Sequence, residues 1–351
     1  MVDVSVVMEL FRRANELLKK RMDIVFAIIV IVGLVLRLCA IRDAPYFIDL
    51  YADAYESRVV LNEPGDMYVK ELEMTVREIT CDGSFSPGWA KKKCAPYPPV
   101  ALLLVSLLYI AGGATLEGFY AAQVIFELGI SAVVCMYCYR EKEPLMFVLF
   151  FLNPFEISEF WHESHASFLW MHFFMVLSWI AYDYGYKNKS ALFIGLGIVS
   201  KLYPAAVMLF PRRWGKSYLI IVITVLLGLL LPFLIPGYSY IWQRKNYHFL
   251  LSIILSGISA IMLILLSRQK WVTDLDIIGF SSIPVALYIT LGSPEFFPNY
   301  AMMALMLPDK RYFRPLFCIL IWVVVFFEHE ITPIVVSLLI MPIFYLVFRR
   351  N

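Results

Sequence analysis

Apolar stretches recur along the whole chain, separated by short polar breaks rich in Lys and Arg. A helix needs about 20 apolar residues to cross the hydrocarbon layer of a bilayer. Runs of that order or somewhat shorter lie at 24–42, 97–112, 119–139, 144–158, 165–183, 190–210, 217–235, 248–267, 274–292, 298–308, 314–328 and 331–348. The pattern predicts an all-α, polytopic integral membrane protein with roughly 10–12 transmembrane or re-entrant helices. Its polar stretches divide the chain into an amphipathic N-terminus over 1–22, a first transmembrane helix over 23–42, one long polar segment over 43–96 and a multi-span region over 97–351.

Composition agrees with the pattern. With 61% hydrophobic and 17% charged residues, the chain cannot bury its apolar surface as a soluble globule. The formal net charge is only +2 and the basic residues are scattered at segment ends, which gives no footprint for nucleic acid.

The basic residues orient the spans. Arg12, Arg13, Lys19, Lys20 and Arg21 precede the first run and place that end in the cytoplasm by the positive-inside rule. No small-residue cleavage site follows the run, so it is expected to be a retained anchor. Residues 3–20 have the character of an amphipathic helix lying on the inner surface. Further basic clusters at 140–142, 187–189, 212–216, 268–270, 310–314 and 349–350 are all expected on the cytoplasmic side. Strict alternation then fails in two places. One of the two segments within 97–139 must dip in and return, and so must 190–210, where Lys201 and Pro204 suit a broken helix.

The polar segment 43–96 faces outside in this topology. Asp49 and Asp53, in YFIDLYADAYES, are four residues apart, so a helix would set both on one face. Cys81 and Cys94 bracket a segment with Gly, Pro and Trp, and a disulfide between them is the favoured pairing in an exported loop. Cys135 and Cys138 have CxxC spacing but sit in an apolar run, where helix packing is their expected role.

Ionisable residues at membrane depth cost several kcal/mol unless they face a cavity or a partner. Three groups stand out. The first is NPFEISEFWHESH, where His162, Glu163 and His165 crowd the outer end of two spans; HExxH spacing is absent, and substrate hydrogen bonding is preferred over zinc. The second is Lys201 in GIVSKLYPAAV, either a phosphate ligand or a lysine that snorkels to the interface. The third is Arg244, Lys245 and His248 after the PGYSY turn, either an anion clamp or a plain juxtamembrane patch.

With these residues in place the chain resembles the GT-C glycosyltransferases that use a polyprenyl-phosphate sugar, most closely the mannosyltransferases of GPI-anchor and phosphatidylinositol-mannoside synthesis. The resemblance runs through IDLYADA, Tyr68 in DMY, YPPVALLL at Tyr97, the NPF turn at Asn153, Glu163, SKLYP at Lys201, and SPEFFPNYAMMALMLP with Asn299 and Tyr300. It implies a GT-C-like fold and an inverting transfer of a sugar, expected to be mannose, to a lipid or glycan hydroxyl. Asp49 is then the general base, with Asp53 as runner-up or acceptor-binding helper. Lys201 and Tyr203 would hold the donor phosphate, with Arg244 and His248 as further candidates. Tyr68, Tyr97, His162, Glu163, His165, Asn299 and Tyr300 would contact sugar or acceptor.

The expected partners are the donor lipid, the acceptor, membrane lipids and a small partner subunit. No cofactor is required, although a divalent cation is compatible with a lipid phosphate. Short loops and compact length favour a prokaryotic cell membrane with the site outside; in a eukaryote the site would be lumenal in the ER. The sequence departs from the family at His162 to His165, in the segment between Tyr68 and Tyr97, and in the spacing of its two loop carboxylates. A transporter or flippase of an anionic lipid-linked substrate is the alternative from another class, since intramembrane Lys and Glu with broken helices also mark transport paths.

Overall fold

A computed structural model describes residues 4–43, 48–68, 71–73, 91–93, 97–157, 166–235, 238, 249–269 and 272–292. The expected spans at 298–308, 314–328 and 331–348 lie outside these residues. The described chain is helical apart from one small ladder. Its longer helices are α1 (Val4–Lys19), α2 (Met22–Asp43), α3 (Ile48–Asn62), α4 (Pro99–Ala111), α5 (Leu116–Glu141), α6 (Pro144–Phe151), α7 (Ala166–Asp183), α8 (Lys187–Ser200), α9 (Tyr218–Leu229), α10 (Phe249–Ser267), α11 (Asp274–Phe280) and α12 (Ile283–Gly292), with single turns at Pro154–Ile157 and Pro211–Trp214. Among the described residues, four stretches are long and apolar enough to cross a membrane: Met22–Cys39, Leu116–Glu141, Pro211–Leu234 and Leu250–Ser267. Their outward faces are apolar, as at Ile31 (62% exposed) and Leu250 (72% exposed), which suits contact with lipid and not with water.

Several expected spans are shorter or broken, each for a local reason. Helix α4 has 13 residues and is about 20 Å long, well under the roughly 30 Å of hydrocarbon. It packs on α3 and α5, so of the two segments in 97–139 only α5 has crossing length. The run 144–158 is interrupted after Phe151 and resumes as a single helical turn over Pro154–Ile157, because Pro154 cannot donate to the preceding helix but is tolerated at the start of a new one. The run 274–292 is divided at Ser281 and Ser282 into α11 and α12, and α11 opens on a capping box between Thr273 and Asp276.

The run 190–210 is also interrupted. Helix α8 ends at Ser200, Lys201 is extended (φ −156°, ψ 127°), and a 3₁₀ stretch follows over Tyr203–Leu209. Helices α8 and α9 are parallel. Ser217 donates to Asn188 at 2.6 Å at one end, while further along a Cβ on Gly195 would lie 2.8 Å from Thr224 and one on Gly228 would lie 2.4 Å from Val199. The backbones approach this closely only because both positions lack a side chain. The 3₁₀ stretch therefore returns the chain to the end where α8 began, and Tyr218 fixes the return by donating to Met208 O at 2.9 Å.

Helix α1 crosses the beginning of α6. Asn15 accepts from Leu145 N–H at 3.2 Å, satisfying a donor that a helix start leaves open, and it donates to Glu143 at 2.9 Å. On the outer side of α1, hydrogen bonds from Arg12 first and then Arg13 hold the Glu9 carboxyl down to about 2. Secondary structure is described in part of the polar segment 43–96. It begins with α3 and contains an antiparallel ladder, β1 (Glu71–Glu73) with β2 (Lys91–Lys93), in the register Glu71 to Lys93 and Glu73 to Lys91. Cys81 and Cys94, the expected disulfide, lie outside the described residues.

Candidate functional site

Helix α3 carries the carboxylates. Asp49 is in its first turn, and its side chain lies outside the described residues. Asp53 is one turn on and 3% exposed, and Glu56 follows at 5%. Positions 49, 53, 56 and 60 form one stripe at helical spacing. α3 is buried on most of its circumference. Leu50 and Ala54 pack with Val105, Leu108, Tyr109, Phe119 and Ala166, while Val59 and Val60 pack with Tyr68, Leu102 and Tyr238. Ser57 donates to Asp53 O at 2.7 Å, which keeps that hydroxyl satisfied within the helix.

The stripe ends at a tyrosine cluster. Tyr68 is 1% exposed and donates to Tyr97 O at 3.0 Å, immediately before Pro98 and Pro99 start α4. Burial, then the neighbouring Tyr238 and Glu56, push the Tyr68 hydroxyl well above the usual tyrosine range. The ring of Tyr68 meets Tyr238 edge-on at 5.3 Å, and Tyr238 in turn meets Phe233 at 5.0 Å and donates to Leu229 O at 3.0 Å.

Lys201 reaches the same place from the break after α8. Its Nζ lies 4.4 Å from the Tyr97 ring centroid and 3.8 Å from that of Phe168. Aromatic faces attract an ammonium through the ring quadrupole and do not neutralise its charge. Phe168 also carries Tyr203, which is fully buried with ring centroids 5.5 Å apart. Residues from α3's exit, the start of α4, the start of α7 and the α8 break therefore meet. Tyr68, Tyr97, Lys201 and Tyr203 are brought together by contacts across more than a hundred residues of chain.

Of the other candidates, His162, Glu163, His165, Arg244, His248, Asn299 and Tyr300 lie outside the described residues. Asn153, in the NPF turn, is 1% exposed. Sequence reasoning missed Glu56, whose signal was its place on the Asp49–Asp53 stripe. It also missed Arg37 and Glu127, single charges inside apolar runs, which form a buried pair between α2 and α5. Compared with family models, with curated proteins and with solved structures, the chain matches none.

Proposed function

We propose that the chain is a multi-pass membrane glycosyltransferase of GT-C type that moves a sugar, mannose by preference, from a polyprenyl-phosphate donor to a lipid or glycan hydroxyl at the outer or lumenal face. The observation that carries the reading is the meeting of Lys201 with Tyr97 and Phe168, which in turn contact Tyr68 and Tyr203, in a chain whose helix α3 bears Asp49 and Asp53. A cation for a lipid phosphate and a carboxylate for a hydroxyl are the two charges such a transfer needs.

In this reading Asp49 takes the proton of the acceptor hydroxyl as its oxygen bonds to the anomeric carbon. The bond from that carbon to the phosphate oxygen breaks, and the phosphate leaves with the electron pair. Attack from the opposite face inverts the configuration. Lys201 meets the charge that develops on the phosphate. It lies about 21 Å along α8 from Lys187, inside the apolar layer and near its far side if Lys187 marks the cytoplasmic surface. Asp53, one turn deeper and buried, assists by holding the acceptor. The donor's isoprenoid tail would come sideways from the bilayer, and no soluble nucleotide sugar is needed. A break with a lysine at its apex also suits a flippase for an anionic lipid.

The deciding experiment is transfer of radiolabelled sugar from polyprenyl-phosphate mannose or glucose to a native lipid extract, with purified wild type beside Asp49→Asn. Transfer by wild type that vanishes in the variant supports donor class and base together. Folded wild type that transfers from neither donor would overturn the reading and favour transport.

A further inference from the structure

Helix α1 uses one side on the protein. Phe11 and Leu18 pack on the core, and Asn15, 4% exposed, is bonded at the start of α6. Another side is bare: Leu10 and Leu17, seven residues apart and hence aligned, are 60% and 64% exposed. Arg13 and Lys20, each three residues after one of these leucines, edge the row, and Arg21 follows at the turn into α2; all three are exposed. Between Glu9 and Asp23 there are five basic and three acidic side chains. Glu9 is held by Arg12 and Arg13, Glu16 by Lys19, and Asp23 accepts from Tyr139, which leaves the charges of Lys20 and Arg21 in surplus. Arg140 and Lys142 are exposed at the end of α5, beside Glu143 where α1 is bonded.

The level of this surface is fixed. α1 ends three residues before the apolar stretch that begins at Met22, and its bonds to Glu143 and Leu145 tie it to the ends of α5 and α6. A rigid helix at that level with a leucine row beside cations matches a leaflet that offers acyl chains next to phosphates. We propose that this side of α1 is a docking surface for anionic phospholipid, with Leu10 and Leu17 entering the acyl region and Lys20 and Arg21 pairing with headgroup phosphates. The surface stands apart from the transfer site and does not depend on it.

The test uses the full chain in nanodiscs of phosphatidylcholine with and without phosphatidylglycerol. A photoreactive p-benzoylphenylalanine replaces Leu17 or, on another side of the helix, Glu16. Position 17 is expected to give acyl-chain adducts several-fold above position 16. After detergent extraction, wild type is expected to retain phosphatidylglycerol roughly tenfold better than Lys20→Gln/Arg21→Gln, each lost charge near a membrane weakening the attraction. These substitutions replace exposed side chains, and thermal unfolding of each variant establishes that it is folded. Equal lipid adducts at 16 and 17, adducts to another protein at 17, or equal retention of phosphatidylglycerol would overturn the proposal.

Discussion

Arg37 and Glu127 form a two-pronged ion pair with neither side chain exposed, Nη2 to Oε1 at 2.8 Å and Nε to Oε2 at 3.2 Å. Arg37 also donates to Phe151 O at 2.8 Å, capping the end of α6, and stacks 3.9 Å from the Phe151 ring centroid. Ser131 donates to the same Glu127 oxygen at 2.9 Å. One guanidinium thereby joins α2, α5 and the turn after α6, from which the NPF segment departs.

Removing one partner strands the other charge in an apolar interior. Arg37→Met or Glu127→Leu is expected to cost about 3–5 kcal/mol, whereas the double replacement should recover much of the loss. Thermal unfolding of purified variants checks this. Single variants as stable as wild type would show that the pair contributes little.

How far the sequence alone revealed this arrangement depends on the element. Apolar runs at the length of a span marked α2, α5 and α10 directly, since a helix that meets lipid has no reason for periodicity. Short helices were harder. α4 is as apolar as a span but only 13 residues long, and 144–158 reads as one run by hydropathy although the chain breaks at Asn153-Pro154. The return after Lys201 was legible because basic clusters at both ends of 190–210 demanded it. Arg37 with Glu127 was not: each residue shows only as a lone charge, and pairing across 90 residues is a property of packing. Tyr97 beneath Lys201 is likewise a tertiary fact, although both positions carried the resemblance.

Lys201 should act through its charge. Lys201→Met is expected to weaken binding of polyprenyl-phosphate sugar by about 1.5–3 kcal/mol, the range for a hydrogen bond to a charged group. Lys201→Arg, which keeps the cation but changes its geometry, should lie between. Tyr97→Leu removes one ring face and should cost less, about 0.5–2 kcal/mol. Donor affinity by titration of a fluorescent lipid analogue reads all three, and unchanged affinity in Lys201→Met would return that lysine to a structural role.

Glu56 tests whether the carboxylate stripe is one functional unit. If Asp49 is the base of the proposed transfer, Asp49→Asn lowers transfer by at least about a hundredfold. Glu56→Gln keeps the shape of a buried side chain beside Tyr68 and should lower transfer by less than that, mainly through the acceptor's KM. A loss equal to that of Asp49→Asn, entirely in kcat, would make Glu56 the better base.

Tyr68 gives a stability change with a definite sign. Burial raises its folded-state ionisation above the ordinary value of 10.0, so the hydroxyl stays neutral in the folded protein while the unfolded chain ionises near pH 10. The contribution is fully present below pH 10 and is lost as pH rises beyond it. Tyr68→Phe removes the bond to Tyr97 O, costing about 1 kcal/mol at neutral pH, and should lessen the fall in stability above pH 10. Unfolding midpoints at pH 7 and above pH 10, compared between wild type and Tyr68→Phe, measure both effects.

The parallel course of α8 and α9 makes a prediction about topology that does not involve the reaction. Asn188 and Ser217 are hydrogen-bonded, so the beginnings of the two helices share one end of the molecule, and the chain between them goes out to Lys201 and comes back. Had 190–210 crossed as one straight helix, Lys189 and Arg212 would emerge on opposite sides of the membrane. Cysteines placed singly at Lys189 and at Lys216, both exposed, are therefore expected to react with an impermeant maleimide from the same side of sealed vesicles. Reaction from the cytoplasmic side is the outcome the positive-inside rule leads one to expect. Labelling of the two positions from opposite sides would rule out the return at Lys201 and, with it, the placement of that lysine at the tip of a re-entrant segment.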